Sequence, residues 1–436
     1  GDGAACSGDA CLPVLVFVHG GGFQTGSGDR DMNGPEYMMD QNIVLVTMNY
    51  RLGPFGFLSL NSSSVPGNTG LRDQMEALRW VQTNVRAFGG DPDRVTLMGQ
   101  SAGASSAHIL SLSEATEGLF KRVILMSGTS ASGFFSTSPS YGQYALGLFL
   151  QYLGINSTDT EEIHRQLIDL PYETILKANS QLLDDLGFCS FNPVVESHFD
   201  GVTRILDEDP NELVSQGRGS NYPLISFRPR LENISIVARI EEDATNALPI
   251  KLLFSASDEV QEIAAEQIMA RYFNGTPTIE EYLPACTDGF FAYPALSLAE
   301  TRATTGGAAV YLYQFSYNSD FAPVKAGLGI NYTGAAHIDD LSYVLRMNSV
   351  LGNTTLNTSD TSVKDWMTTI VSNFVSCSEP TCEASSESWP PVATPLQYQI
   401  INGAAYASSG LTADEESMIQ LFDISKVSDN FSTQSI

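Results

Sequence analysis

Residues 88–104 read FGGDPDRVTLMGQSAGA, and this stretch decides the fold class. Residues 94–98 form an apolar run that predicts a buried strand, and the run leads directly into Gly99-Gln100-Ser101-Ala102-Gly103. The small residues that follow can open a helix. A strand, a sharp Gly-x-Ser-x-Gly turn and a helix present the serine hydroxyl at the edge of a sheet, which is the arrangement of a nucleophilic serine. Glycines on either side are needed because larger side chains would collide in so tight a turn.

A glycine run follows the first predicted strand. Residues 14–18 are apolar and end in His19-Gly20-Gly21-Gly22-Phe23. Backbone amides in such a run are not shielded by side chains, so they can donate to an oxyanion. The N–H groups of Gly21, Gly22 and Ala102 are therefore predicted to form an oxyanion hole beside Ser101. His19 is expected to have a structural role because it ends the strand just before the glycines.

The order of elements predicts an α/β protein with a mostly parallel central sheet and helices on both faces. Apolar runs at 14–18, 43–48, 94–98, 123–126 and 310–315 predict strands, and residues 73–85, 144–155 and 258–273 have helical patterns. Residues 348–361, which are polar and rich in threonine, are expected to form a surface loop. The length suits one large domain covering residues 1–436.

Composition excludes some classes of partner. The formal net charge of −28 repels nucleic acid and anionic bilayers, and no apolar run is long enough to cross a membrane. Cysteines at equal spacing, Cys6 with Cys11 and Cys377 with Cys382, are predicted to close two small disulfides. Together with Asn-x-Ser/Thr acceptor sites they favour a secreted glycoprotein. The acceptor sites are Asn61, Asn156, Asn233, Asn274, Asn331, Asn353, Asn357 and Asn430.

Five segments closely resemble the carboxylesterase/cholinesterase family. They are HGGGF at 19–23, NYRLGPFGFLS at 49–59, GNTGLRDQMEALRWVQTNV at 67–85, FGGDPDRVTLMGQSAGA at 88–104 and GAAHIDDLSYVL at 334–345. The resemblance implies an α/β-hydrolase fold, a triad in the order serine, glutamate, histidine, and His337 as the base. Family members usually have a longer stretch before the glycine run. The sequence also resembles insect juvenile hormone esterases through GQSAG.

The triad acid has two candidates. The stretch NYPLISFRPRLEN resembles the family segment that ends in the acid and gives Glu232, whereas Asp258-Glu259 keeps the family's acidic pair but falls inside a helical pattern. Glu232 lies 131 residues after Ser101 and 105 before His337, an even division that is similar to the family's; for Glu259 the separations are 158 and 78. Glu232 is therefore favoured. His108, His164 and His198 lack a comparable motif and are expected to be surface histidines.

The resemblance also implies pocket residues. Ser127 matches the family's serine near the triad acid, where it would steady the carboxylate. Gly187 and Cys189 occupy positions where cholinesterases have bulky aromatics, which implies a wider acyl pocket. Gln100 replaces a glutamate found in many relatives, which removes a negative charge that would favour choline-like cations.

The predicted function is hydrolysis of neutral carboxylic esters through an acyl-enzyme on Ser101, with no metal or cofactor required. The partner is a small ester substrate. The alternative is a cholinesterase-like adhesion or binding module, in which the nucleophile or the base is typically replaced. Because Ser101, His337 and the glycines are all retained, the sequence favours the enzyme.

Overall fold

The computed structural model describes residues 6–132, 139–186, 190–228, 243–248, 257–319, 334–382, 388–403 and 406–423. Within these ranges, a single sheet contains eight strands in the order β2-β1-β3-β4-β5-β6-β7-β8. Every pair is parallel except the last, β7 with β8. The strands are β1 (Leu12–Val18), β2 (Val44–Thr47), β3 (Gly90–Gln100), β4 (Arg122–Met126), β5 (Leu224–Arg228), β6 (Val310–Phe315), β7 (Gln397–Ile401) and β8 (Tyr406–Gly410). The predicted mostly parallel sheet is confirmed.

Strand β1 shows why this sheet forms. Its side chains alternate between two hydrophobic clusters, with Val14 and Val16 packed on one face and Leu15 and Phe17 on the other. All four are fully buried. A strand covered on both faces needs a continuous apolar run rather than an alternating one, which is the pattern of parallel strands flanked by helices. The strand predicted from the sequence starts at Val14, two residues after the observed start at Leu12.

Helices connect the strands and supply both outer layers. They are α1 (Gly53–Phe57), α2 (Thr69–Asn84), α3 (Ala102–Leu112), α4 (Pro139–Leu153), α5 (Thr160–Asp169), α6 (Tyr172–Leu186), α7 (Pro210–Ser215), α8 (Asp258–Tyr272), α9 (Ile279–Thr287), α10 (Tyr293–Thr305), α11 (Asn348–Leu351), α12 (Thr358–Cys377) and α13 (Ala413–Phe422). Helix α2 buries Leu71, Met75, Leu78 and Val81, whose spacing places them on one face. None of the described helices has the length and apolarity to span a bilayer.

The surface loop predicted at 348–361 is wrong in part. Residues Asn348–Leu351 form helix α11, and helix α12 begins at Thr358. The Asn357 side chain caps α12 by accepting a hydrogen bond from the Asp360 N–H at 2.8 Å. The threonines that suggested a loop therefore flank a helix start, where asparagine satisfies a backbone amide that would otherwise lack a partner.

Two disulfides join the cysteines that share the same spacing. Cys6 is bonded to Cys11, and Cys377 is bonded to Cys382 at the end of α12. Both predicted pairs are confirmed. Cys286 in α9 is buried as a free thiol.

Candidate active site

Ser101 stands at a sharp turn between β3 and α3. Its backbone has φ 57° and ψ −123°, a conformation that is strained for a residue with a side chain. A Cβ atom on Gly99 would lie 2.0 Å from the Gly103 carbonyl oxygen, and one on Gly103 would lie 2.1 Å from the Val18 carbonyl oxygen. Both neighbours must therefore be glycine, and the Gly-x-Ser-x-Gly turn has the predicted strand-turn-helix setting.

His337 faces this serine from the loop that follows β6. Its Nε2 lies 2.8 Å from the Ser101 Oγ. Burial lowers the pKa of His337 to about 3, so the ring is neutral and can take a proton from the serine. The Phe291 ring packs against it with centroids 5.0 Å apart. Its other nitrogen, Nδ1, is buried and has no hydrogen-bond partner among the described residues.

The glycine run lies directly beside the nucleophile because β1 and β3 are neighbours in the sheet, with Val18 opposite Gly99. A Cβ atom on Gly20 would lie 2.5 Å from the Gln100 side-chain oxygen and 2.9 Å from the Ser101 Cβ. Gly21 and Gly22 have φ values of 110° and 60°, which glycine adopts without steric cost. The same neighbourhood contains the N-terminus of α3, which begins at Ala102.

The two candidates for the triad acid have different surroundings. Glu232 lies outside the described residues. It comes four positions after the end of β5. Because β3, β4 and β5 are parallel, β5 ends at the same edge of the sheet as β3, which leads into Ser101. Glu259 lies in the first turn of α8 and its side chain is exposed. An exposed carboxylate is a poor partner for a buried imidazole.

The pocket residues are only partly described. Gln100 is buried, and its Nε2 lies 3.4 Å from the Nε2 of His337. Ser127 is buried with a positive φ of 60° directly after β4. Its predicted position beside Glu232 stays a prediction. Gly187 and Cys189 lie outside the described residues.

Two acidic residues next to the base were missed from the sequence. Asp339 and Asp340 are both buried. The Asp339 Oδ2 accepts a hydrogen bond from the Ala336 N–H at 2.7 Å, which ties down the loop just before His337. Burial raises the pKa of Asp340 to about 8, and the nearby Asp339 charge contributes to that rise. The available signal was an Asp-Asp pair inside an apolar segment, since carboxylates are rarely buried unless they have a partner or a functional role.

The other histidines differ from expectation in one case. His164 is half-buried and His198 is exposed. His108 is buried, which contradicts its expected place at the surface, because α3 passes through the interior and all of its residues are buried. The Nδ1 of His108 lies 2.7 Å from the Ser130 Oγ and also accepts the Ser130 N–H at 3.3 Å. Its helix has almost no polar face, which is the signal that should have placed this histidine in the core.

Comparison with known proteins places this site in a family. The model of the carboxylesterase family matches residues 5–416. The chain belongs to the carboxylesterase family. It is 47% identical over 425 residues to a juvenile hormone esterase of Heliothis virescens, an alignment that covers 94% of this chain and 75% of that protein. It is 32% identical over 356 residues to a carboxylic ester hydrolase of Bombus ignitus, covering 77% of this chain and 62% of that protein.

A solved relative has the same fold. The crystal structure of juvenile hormone esterase from Manduca sexta, with OTFP covalently attached, superposes with a TM-score of 0.91 and 44% identity, covering 96% of this chain and 81% of that one. The predicted α/β-hydrolase fold is thereby confirmed, as is a serine-type carboxylesterase activity. The comparisons give no support to the adhesion-module alternative.

Proposed function

We propose that this esterase works through Ser101, His337 and Glu232. The observation that carries the proposal is the 2.8 Å contact between the Oγ of Ser101, which stands at the strained turn, and the Nε2 of a neutral, half-buried His337. The Nδ1 of His337 has no hydrogen-bond partner among the described residues, which supports a donor role toward the triad carboxylate, and the exposure of Glu259 leaves Glu232 as the better candidate.

The reaction proceeds in two steps. His337 takes the Ser101 proton as the oxygen attacks the ester carbonyl, and the protonated imidazole then gives that proton to the departing alcohol. Water repeats the cycle on the acyl-enzyme and releases the carboxylic acid. The carboxylate of Glu232 offsets the positive charge that develops on His337 during each attack.

The N–H groups of Gly21, Gly22 and Ala102 stabilise the oxyanion in this proposal. The closeness of Gly20 to Ser101, and the start of α3 at Ala102, support the assignment because both bring unshielded amides to the nucleophile. Each such donor contributes roughly 3 kcal/mol to lowering the barrier.

The substrate is a neutral ester with a medium or bulky acyl group, and juvenile hormone is the first one to test. Two relatives named juvenile hormone esterase are 47% and 44% identical in sequence to this chain. Gln100 brings no negative charge to His337, and Gly187 and Cys189 would leave a wide acyl pocket. The chain would act in one domain as a secreted glycoprotein without nucleic-acid or membrane partners. Its two disulfides fit an oxidising compartment.

The experiment that tests the catalytic assignment is labelling with an organophosphate followed by peptide mapping. We expect one labelled serine, Ser101, and a fall in kcat of roughly 10⁴-fold or more on a chromogenic ester for Ser101→Ala. Ser130→Ala is the matched control because Ser130 also contacts a buried histidine. A label on another serine, or near-normal turnover of Ser101→Ala, would overturn the assignment.

A further inference from the structure

The two glycine donors of the proposed oxyanion hole depend on how their peptide planes are held. In a trans peptide, the C=O of one residue and the N–H of the next point in opposite directions. The direction of the Gly21 N–H is therefore set by the Gly20 carbonyl, and that of the Gly22 N–H by the Gly21 carbonyl. Whatever binds those two carbonyls aims the donors.

The Gly21 carbonyl is held by the main chain. It accepts the N–H groups of Gln24 and Thr25, each at 3.0 Å, and the Thr25 hydroxyl lies 3.3 Å away. The third donor, the Ala102 N–H, is fixed in the same way, because the preceding Ser101 carbonyl accepts the Ser105 N–H at 3.0 Å within α3. These two planes need no side chain for their orientation.

The Gly20 carbonyl is held by a side chain instead. It lies 2.8 Å from the Nδ1 of His19, and a carbonyl can only accept, so Nδ1 carries the proton. The His19 ring is buried and stacks on Tyr50 with centroids 4.4 Å apart, and the Tyr50 hydroxyl donates to the His19 carbonyl at 2.9 Å. Tyr50 therefore fixes both the ring and the backbone of His19.

Gly26 packs against the same contact. A Cβ atom on Gly26 would lie 2.4 Å from the Gly20 carbonyl oxygen and 2.5 Å from the His19 Nδ1. The close approach of this loop leaves the Gly20 carbonyl no room to rotate away from the ring.

We propose that His19 is a positioning residue, which orients the Gly21 N–H toward the oxyanion by holding the Gly20 carbonyl from the opposite side. This inference rests on the proposed use of Gly21 as an oxyanion donor. It predicts that only a donor at the position of Nδ1 is required, and not the imidazole as such.

A pair of amide variants tests that requirement. In His19→Asn the side-chain NH₂ reaches about where Nδ1 lies, whereas in His19→Gln it reaches about where Nε2 lies; His19→Phe has no donor at either position. We expect kcat of His19→Asn to stay within about fivefold of the wild type, and kcat of the other two to fall by roughly 10 to 100-fold with little change in KM. A trifluoromethyl ketone forms a tetrahedral adduct with the serine, and the former carbonyl oxygen of that adduct is an oxyanion. The affinity of each variant for such a ketone should therefore fall in parallel with kcat.

Two controls separate this role from folding. Values of kcat are normalised to sites titrated with an organophosphate, so that misfolded protein is not counted, and His108→Asn measures the effect of losing a buried histidine elsewhere. Gly26→Ala lies on an exposed loop and supplies an independent variant that forces the His19 contact apart, with the same loss of kcat expected.

Equal kcat for His19→Asn and His19→Gln, or a normal kcat for His19→Phe, would overturn the proposal for His19. If the wild type were not labelled at Ser101, the proposed catalytic assignment would fail instead, and the two failures are thus distinguishable.

Discussion

Two histidine–serine pairs occur in the part of the chain that the structure describes, and only one of them has the surroundings of a catalytic pair. The His337 Nε2 lies 2.8 Å from Ser101, and the His108 Nδ1 lies 2.7 Å from Ser130. Burial lowers the pKa of both rings to about 3; for His108 the charge of Arg302 adds to the effect. Neither the hydrogen bond nor the neutral ring distinguishes the two pairs.

The difference lies in the backbone around the serine. Ser101 has a strained turn, the N-terminus of an 11-residue helix and the glycine run of the neighbouring strand beside it. Ser130 is buried in the segment after β4, where its hydroxyl contacts His108. A histidine that contacts a serine becomes a catalytic base only where amide donors face the position of the developing charge.

The largest expected effect comes from replacing the histidines themselves. His337→Asn should lower kcat by roughly 10⁴-fold or more, because none of the other described residues places a base against the Ser101 hydroxyl. His108→Asn should leave kcat within about threefold and instead cost about 1–3 kcal/mol of unfolding free energy, because the smaller side chain leaves part of a buried site unfilled. Steady-state kinetics and thermal unfolding of both variants check the contrast. A catalytic defect in His108→Asn would show that the two pairs are coupled.

The triad acid should affect catalysis only through the pair of His337 and Ser101. Glu232→Gln is expected to lower kcat by about 10³-fold or more, while Glu259→Gln behaves like the wild type. Loss of the carboxylate should also move the acid limb of kcat/KM to lower pH, since the protonated imidazole loses a stabilising charge and its pKa falls further. Kinetics between about pH 2 and 9 test both points, because the acid limb of the wild type is expected near the His337 pKa of about 3. An active Glu232→Gln beside a crippled Glu259→Gln would transfer the role.

Selectivity between ester substrates should change by a smaller factor than kcat does in the variants above. Neutral esters with bulky acyl groups are expected to have a higher kcat/KM than acetylcholine, and Gln100→Glu should narrow that preference by about tenfold by placing a negative charge near His337. The neutral isostere 3,3-dimethylbutyl acetate controls for shape. Should acetylcholine be the best substrate of the wild type, the neutral-ester assignment would be wrong.

The last expected effect is on stability rather than on rate, and it concerns Asp340, three residues after His337. Burial raises its folded-state pKa to about 8 from an ordinary 3.8, so between those values the folded protein keeps a proton that the unfolded chain loses. Stability contributed by this group therefore falls as pH rises from about 4 to 8 and levels off above. Asp340→Asn, which stays neutral, should gain melting temperature relative to the wild type over that window. A difference between the two melting temperatures that does not depend on pH would contradict this.

Local motifs explain why much of the site was predictable. The turn around Ser101 and the glycine run after β1 are each specified within a few residues, because steric limits on the backbone leave few alternatives. Continuous apolar runs likewise predicted β1, β2, β3, β4 and β6, whereas β5, β7 and β8 were missed.

The remainder depends on packing that no short segment encodes. Phe291 contacts His337 from the segment between α9 and α10, far from it in the sequence, and the burial of His108 follows from the path of α3 through the core. The loop expected at 348–361 was wrong because capping by Asn357 outweighs the weak helix propensity of threonine.

The crowding of glycines around Ser101 has a consequence for anyone who wishes to redesign this enzyme. On the side of β1, a single added methyl at Gly20, Gly99 or Gly103 would overlap backbone or nucleophile atoms, so a library randomised there would yield mostly inactive variants. Residues such as Phe291, whose side chain packs on the ring of the base, are better positions to vary. New substrate preferences should therefore be sought at such side chains, with the glycines left unchanged.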